Sequence, residues 1–342
     1  MIHLQRQPLT LTYPRLATIV ASRFVLNAMF RVAYPLVPFI AAHFGVSARA
    51  ATWVVTIQVL AGLASPLGGW LGDRHGYRGT MALGLIVVLA GTIMAALAGT
   101  LAITVAALGL IGLGTAIYHP SMQAYVSHLT PFARRGRAIG VVETSWSLAG
   151  IVAVPPLVAM AERTGGLHVP FGILAALIFV MLVLGLVLLP ADRQPDGSRP
   201  RASPSFRRLL RQPTLWWLVL FFWLVLCGEE VLFIAQAPWL AARFAATPQD
   251  IGNTFFVFGL GELIGVSLAT AFTDRMGKLR APLIGFSSAA AIYLLLTIAA
   301  RGWNSYLLLF MLFGITFEFA IVASITLASA VEPSARGTIM AG

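Results

Sequence analysis

Apolar runs of about 20 residues, the length that crosses a bilayer core, follow one another along the chain with short polar breaks between them. They fall at roughly 17–42, 51–72, 79–98, 102–128, 138–161 and 169–190, then at 213–240, 250–273, 281–299 and 303–330. The pattern predicts an all-α membrane protein with ten full transmembrane helices. Gly and Pro inside several runs are compatible with this, because neighbouring helices can satisfy the backbone groups they free. A further apolar run starts near Thr338, a few residues before the sequence ends at Gly342.

Composition supports a lipid solvent. Of 342 residues, 58% are hydrophobic and only 10% charged, far from the quarter charged that an aqueous surface carries. The formal charge of +11 is spread in short clusters between the apolar runs, so no nucleic-acid partner is expected. Arg and Lys are also unevenly sided: 17 of 23 fall in alternate loops on the side of the N-terminus, 4 on the other side, and Arg23 and Arg31 lie within the first run. By the positive-inside rule the N-terminus is expected in the cytoplasm, and the cell (inner) membrane is the expected location. Residues 1–15 read as a cytoplasmic lead. The single cysteine, Cys227, lies in an apolar run, and no His/Cys cluster has metal-ligand spacing, so no metal and no cofactor are expected.

The chain repeats itself. Asp73-Arg74 recurs as Asp274-Arg275, and Arg135-Gly136 as Arg336-Gly337, both 201 residues later. Two landmarks with one offset predict two related halves. These are a six-helix N-terminal half over 16–190 and a second half over 213–342 holding helices seven to ten and the start of an eleventh. A Pro- and Arg-rich cytoplasmic linker, 191–212, joins them. By this symmetry the second half is expected to be incomplete, two helices short. A parallel repeat of this kind places a substrate site between the halves near mid-membrane.

Ionisable residues inside a membrane are costly and mark pathways. Arg23, Asn27, Arg31 and Tyr34 are spaced by 4, 4 and 3 residues and so form one stripe on the first helix. Gln58 on the second, His119 on the fourth, Glu143 on the fifth, Glu229 and Glu230 on the seventh, Glu262 on the eighth and Glu318 on the tenth complete the polar set. With no basic residue nearby in the second half, Glu262 is expected to hold a proton, as carrier or as bystander. Arg23, near the helix end, could equally snorkel to the interface. Of the adjacent Glu229 and Glu230, one at most faces a cavity squarely. His119 reads as a titrating group or a packed one.

The loop Gly69-Trp70-Leu71-Gly72-Asp73-Arg74-His75-Gly76-Tyr77-Arg78 resembles the signature of the major facilitator superfamily, and Asp274-Arg275-Met276-Gly277 repeats its core. Pro35-Leu36-Val37-Pro38 resembles a motif of the twelve-helix drug:proton antiporters. The resemblance implies a major facilitator fold of two pseudo-symmetric halves, with helices three, six and nine as outer supports. It also implies a conformational latch made of Gly69, Asp73, Arg74, Gly76 and Arg78, with Asp274, Arg275 and Gly277 as its second copy. Gly69 would allow close packing and Gly76 a tight turn. Asp73 would meet the eleventh helix, and Asp274 the start of the fifth near Arg137. Helices one and five line the cavity in this family, which makes Arg31 and Glu143 the leading pair, either exchanging with a proton or substrate or standing as a fixed ion pair.

Two departures are visible. Leu108 stands where the family often has a coupling Arg before Gly112-Leu113-Gly114, and the antiporter motif of the fifth helix is reduced to Val154-Pro155-Pro156. The expected function is alternating-access transport of a small organic molecule, with protons as coupling ion and efflux as direction. A uniporter or importer of sugars or organic anions, and a non-transporting sensor or gene remnant, remain alternatives. No phosphate-cradling loop or nucleophile elbow is present, so neither ATP-driven transport nor an enzyme is expected.

Overall fold

The computed structural model describes residues 11–191, 213–277 and 279–331, and all regular elements among them are helices. The linker, residue 278 and the expected eleventh-helix start lie outside them. Helix α1 (Tyr13–Val32) opens with Pro14 in its first turn, where a missing N–H leaves nothing unsatisfied. It ends because Pro35 and Pro38 cannot continue the ladder. Helix α2 (Val37–Phe44) departs at 56°, and the two make one bent first span. At the break the Tyr34 amide bonds to the Arg31 carbonyl, three residues back.

The second span is built from α3 (Ala48–Ala51), α4 (Trp53–Leu60), a tight 3₁₀ turn at Ala61–Ala64 and α5 (Ser65–His75). Helices α6 (Tyr77–Ala96) and α7 (Leu101–Leu129) are the third and fourth spans. The fifth contains α8 (Phe132–Leu148), a π-helical segment at Ala149–Ala153 and α9 (Val154–Thr164). Pro155 and Pro156 remove the two N–H donors that an α ladder needs there, and the Val154 amide reaches back five residues to the Ala149 carbonyl. Helices α10 (His168–Leu188), α11 (Pro213–Phe244), α12 (Pro248–Met276), α13 (Arg280–Ala299) and α14 (Trp303–Val331) complete the bundle. Nine helical stretches among the described residues are long and apolar enough to cross a membrane, and ten with the bent first span.

The internal repeat is visible in the backbone. Gly76, after α5, has φ 93° and ψ 143°; Gly277, after α12 and 201 residues later, has φ 92° and ψ 142°. Both conformations favour glycine. The spans that precede them also start alike: Ser47 caps α3 by accepting from the Ala50 amide, and Thr247 caps α12 by accepting from the Asp250 amide.

Burial does not single out the expected outer supports, since the second and seventh spans, at 22% and 17%, are no more buried than the sixth and ninth. In their most apolar stretches the sixth and ninth spans are 22% and 28% buried, but the third is 44% buried, as much as the fifth. The third is pulled inward because α6 meets α7 backbone to backbone. A Cβ on Gly84 would lie 2.8 Å from the Gly114 carbonyl oxygen, and one on Gly91 2.7 Å from that of Ala107.

The first six spans meet the later four mainly through α8, the π segment and α9 against α12, with α2 against α11. A Cβ on Gly252 would lie 3.2 Å from Val158, and one on Gly259 2.9 Å from the Ser147 carbonyl. These contacts occupy the middle of the bundle and its end away from the N-terminus.

Candidate functional site

The polar stripe of α1 is a seam that joins both groups of spans. Arg23 donates to Glu143 on α8 at 2.6 Å, and Asn27 donates to Ser145 Oγ at 3.1 Å. Two turns further along, Arg31 Nη1 donates to both carboxylate oxygens of Glu262 on α12, at 3.2 and 3.0 Å. Tyr34, at the helix break, donates its hydroxyl to Glu230 on α11 at 2.7 Å. The lower half of the stripe is thus bound within the first six spans and the upper half to the later four.

The expected pairing of Arg31 with Glu143 is not the one formed. Helices α1 and α8 run in the same direction with Glu143 level with Arg23, so Arg31 lies about 12 Å higher along the axis. Two further expectations change with it. Glu262 does have a cationic partner, Arg31, supplied from the first half. Arg23 does not snorkel; it is buried against Glu143.

The Arg31–Glu262 pair is sealed, with both side chains no more than 2% exposed. It is framed by Trp146 on α8. The indole N–H donates to Glu262 Oε1 at 2.9 Å, the Trp146 carbonyl accepts from Arg31 Nη1 at 3.1 Å, and the ring centroid lies 4.6 Å from the guanidinium carbon. Phe255 and Phe258 of α12 present their rings to the same guanidinium at 5.7 Å each. Gly150, in the π segment, makes room for it: a Cβ there would lie 3.3 Å from the guanidinium carbon and 3.1 Å from the Phe255 carbonyl. A fixed buried pair would use two parallel N–H···O bonds. Here one amino group serves every acceptor, and Arg31 Nε and Nη2, both buried, have no hydrogen-bond partner among the described residues.

Glu229 and Glu318 share this electrostatic neighbourhood. Glu230, Glu262, Glu318 and Arg31 all act on Glu229, and Glu262, Glu143 and Arg31 on Glu318. Gln58 has a different task. Its amide donates to the Phe30 carbonyl at the break of the first span, at 3.1 Å, satisfying a backbone acceptor. His119 is half-buried on α7 beside Arg23, and its Nε2 has no partner among the described residues. No group of three His, Cys, Asp or Glu side chains among the described residues could hold a metal.

In the signature loop, Asp73 accepts from the Tyr77 hydroxyl at 2.8 Å, the Arg74 guanidinium lies 5.3 Å from the Trp70 ring, and Arg78 donates to the Leu186 carbonyl. Gly76 makes the expected turn. Gly69 does not make the expected close contact, since a Cβ on it would meet nothing within 4 Å. Its neighbours take that role: Cβ atoms on Gly68 and Gly72 would lie 2.7 Å from the Ala116 carbonyl and 2.8 Å from Tyr77. Gly69 sits one residue, about 100°, round the helix from the packed face. In the second copy Gly277 makes the same turn and Arg275 is exposed, while the side chains of Asp274 and Arg137 lie outside the described set.

Residues 19–341 match the family model described as Major Facilitator Superfamily. The chain belongs to that superfamily. Among curated relatives it is similar to the uncharacterized MFS-type transporter YceJ of Bacillus subtilis, 24% identical over 321 residues, covering 92% of this chain and 81% of the relative. It is also similar to the vesicular acetylcholine transporter of Rattus norvegicus, 30% identical over 243 residues, covering 67% of this chain and 45% of the relative. The chain therefore spans about half the length of the vesicular transporters it matches. Two solved structures share the fold. A D-xylose-proton symporter superposes with TM-score 0.74 at 15% identity, over 96% of this chain and 85% of that one. A bacterial homologue of the human lysosomal transporter Spinster, inward-facing and occupied, gives 0.70 at 19%, over 95% and 76%. This major facilitator protein is a multi-pass membrane transporter of a small solute, not an enzyme.

Sequence reasoning missed Trp146. One signal was available: it lies three residues from Glu143 and four from Gly150, a spacing that puts it beside the carboxylate on the fifth helix.

Proposed function

We propose that this transporter exports a small organic solute in exchange for protons, with the Arg31–Glu262 pair as the exchange point. The observation that carries the reading is the pair itself, a sealed charge pair whose members come from opposite groups of spans. When Glu262 takes a proton, its attraction for Arg31 is lost, and with it the charge contact between α1 and α12. Rocking of a first half (16–190) against a second (213–342) about the linker (191–212) then exposes the site to the other side. With the N-terminus in the cytoplasm, as the Arg and Lys asymmetry implies, the packing around α12 closes the outer side. Glu143, 41% exposed on its side chain, and Gly140, with no neighbour within 4 Å of a Cβ, then face an inward opening.

The surplus of carboxylates favours a cationic solute. Arg23 and Arg31 are matched by Glu143 and Glu262, while Glu229, Glu230 and Glu318 add three carboxyl groups near the same place that a cation would pair with. Tyr34, Phe233, Phe255 and Phe258 stack beside them with ring separations of 5.1 to 6.1 Å, an arrangement that attracts a cation. Relatives named as vesicular acetylcholine and amine transporters agree with that charge. Asn27 and His119 line the route on the first-half side, and Gln58 supports it by holding the break of the first span. Asp73, Arg74 and Arg78, with Asp274 and Arg275, act as conformational latches at the cytoplasmic loops.

The test is current recording from proteoliposomes challenged with a panel of organic cations, sugars and carboxylic acids at two proton gradients. Cation-evoked currents that follow the gradient and vanish in Glu262→Gln are expected. Currents evoked only by carboxylic acids, or indifferent to the gradient, would overturn the reading.

A further inference from the structure

We propose that Trp146 is the positioning residue that holds Arg31 and Glu262 together and tunes how readily the Glu262 carboxylate accepts a proton. The inference rests on the exchange role proposed for Glu262 and adds a residue to it. Glu262 is met from the first six spans by Arg31 of α1 and by Trp146 and Ser147 of α8, and of these Trp146 bonds both the carboxylate and the guanidinium.

Its contacts act on both charges. The indole N–H can only donate, so its 2.9 Å bond to Oε1 favours the ionised carboxylate over the protonated acid. The backbone carbonyl accepts from the same Arg31 nitrogen that serves the carboxylate, and the ring face at 4.6 Å attracts the guanidinium. The N–H and the carbonyl belong to one residue, so moving α8 shifts both bonds at once. Trp146 also stands three residues before the π segment, where Gly150 lets the guanidinium approach the backbone. A proton arriving on Glu262 would therefore be felt directly by the fifth span.

The other groups that face Glu262 are accounted for. Arg31 comes from α1, Trp146 and Ser147 from α8, and the carboxyls of Glu229 on α11 and Glu318 on α14 lie within electrostatic range. Trp146 bonds both members of the pair, through its indole N–H and its backbone carbonyl.

The test needs no substrate. The full chain in lipid nanodiscs is titrated with pH by infrared difference spectroscopy, reading the protonated-carboxyl stretch that Glu262→Gln removes. In Trp146→Phe, which keeps a ring beneath the guanidinium and loses the N–H, the midpoint of that band moves to higher pH by roughly one unit, the size expected for one hydrogen bond to a charged group. Phe30→Leu, whose ring neighbours Trp146 at 6.4 Å without bonding either charge, leaves the midpoint in place. In the wild type the indole N–H band shifts with the same midpoint, and this shift is absent from Glu262→Gln, a readout that requires no Trp146 variant. A midpoint unmoved in Trp146→Phe, an equal shift in Phe30→Leu, or an indole band that ignores the titration would each overturn the role of Trp146. A carboxyl band that survives in Glu262→Gln would instead overturn the exchange role of Glu262 itself.

Discussion

Two ion pairs hang from one stripe of the first helix, and they are built differently. Arg23–Glu143 joins two spans of the same half and leaves 41% of the glutamate side chain exposed. Arg31–Glu262 joins spans of opposite halves, and neither side chain exceeds 2%. In a high-dielectric setting an ion pair contributes little, whereas a sealed pair is expensive to break because the survivor is stranded. The fold therefore places its costly charge pair between the halves and its inexpensive one within the first half.

The largest effect should come from stranding a charge in the sealed pair. Arg31→Met leaves Glu262 buried without its cation and is expected to cost about 3–5 kcal/mol. Thermal unfolding in nanodiscs measures it. Arg31→Met combined with Glu262→Met should recover most of the loss, since a buried pair replaced by apolar groups is often neutral or better. If single and double variants melt alike, the pair does not set the energy of the contact between the halves.

Overpacking the same point comes next. Gly150→Ala places a methyl 3.1 Å from the Phe255 carbonyl and 3.3 Å from the Arg31 guanidinium. The expected cost is about 2 kcal/mol, falling on the packed arrangement of α12 against the fifth span. In a Cys227→Ser background, disulfide formation between Val158→Cys and Gly252→Cys reports that arrangement. Gly150→Ala should slow it severalfold, and an unchanged rate would show that the π segment absorbs the methyl.

Tyr34→Phe tests the top of the stripe. The hydroxyl gives Glu230 a 2.7 Å hydrogen bond, and its loss is expected to cost about 1.5 kcal/mol while leaving the aromatic cluster intact. A melting curve identical to wild type would mean that Glu230 finds another donor at no cost.

Much of this was legible in the chain. Spans, the 201-residue repeat and the stripe followed from periodicity and spacing, because a helix in lipid has few other ways to be built. The pairing was not. Charge and the cavity-lining helices of the family point Arg31 to Glu143, but depth decides which groups meet, and both helices run in one direction with Glu143 level with Arg23. Glu262 looked unpartnered because its cation comes from the other half of the chain. Gly69 was credited with packing that belongs to Gly68 and Gly72, since a one-residue register is invisible until the opposing helix is placed. Trp146 is easily passed over for another reason: an aromatic in an apolar helix looks like core or lipid-facing surface, and its spacing from Glu143 is a faint sign beside the bonds that reveal it.

The smallest effect should be at the lower pair, where the comparison is sharpest. Glu143→Gln removes the negative charge opposite Arg23 but keeps an acceptor oxygen at the same place. Because the Glu143 side chain is 41% exposed, water screens much of what the charge contributes, and the expected loss of stability is below about 1 kcal/mol. Proton-linked flux should fall only partly, against complete loss in Glu262→Gln. Both quantities can be read on one preparation by melting and by proteoliposome currents. If Glu143→Gln abolished flux as fully as Glu262→Gln while melting like wild type, the exposed pair would be the exchange point. The sealed pair would then be the structural one, and the assignment drawn from burial would be reversed.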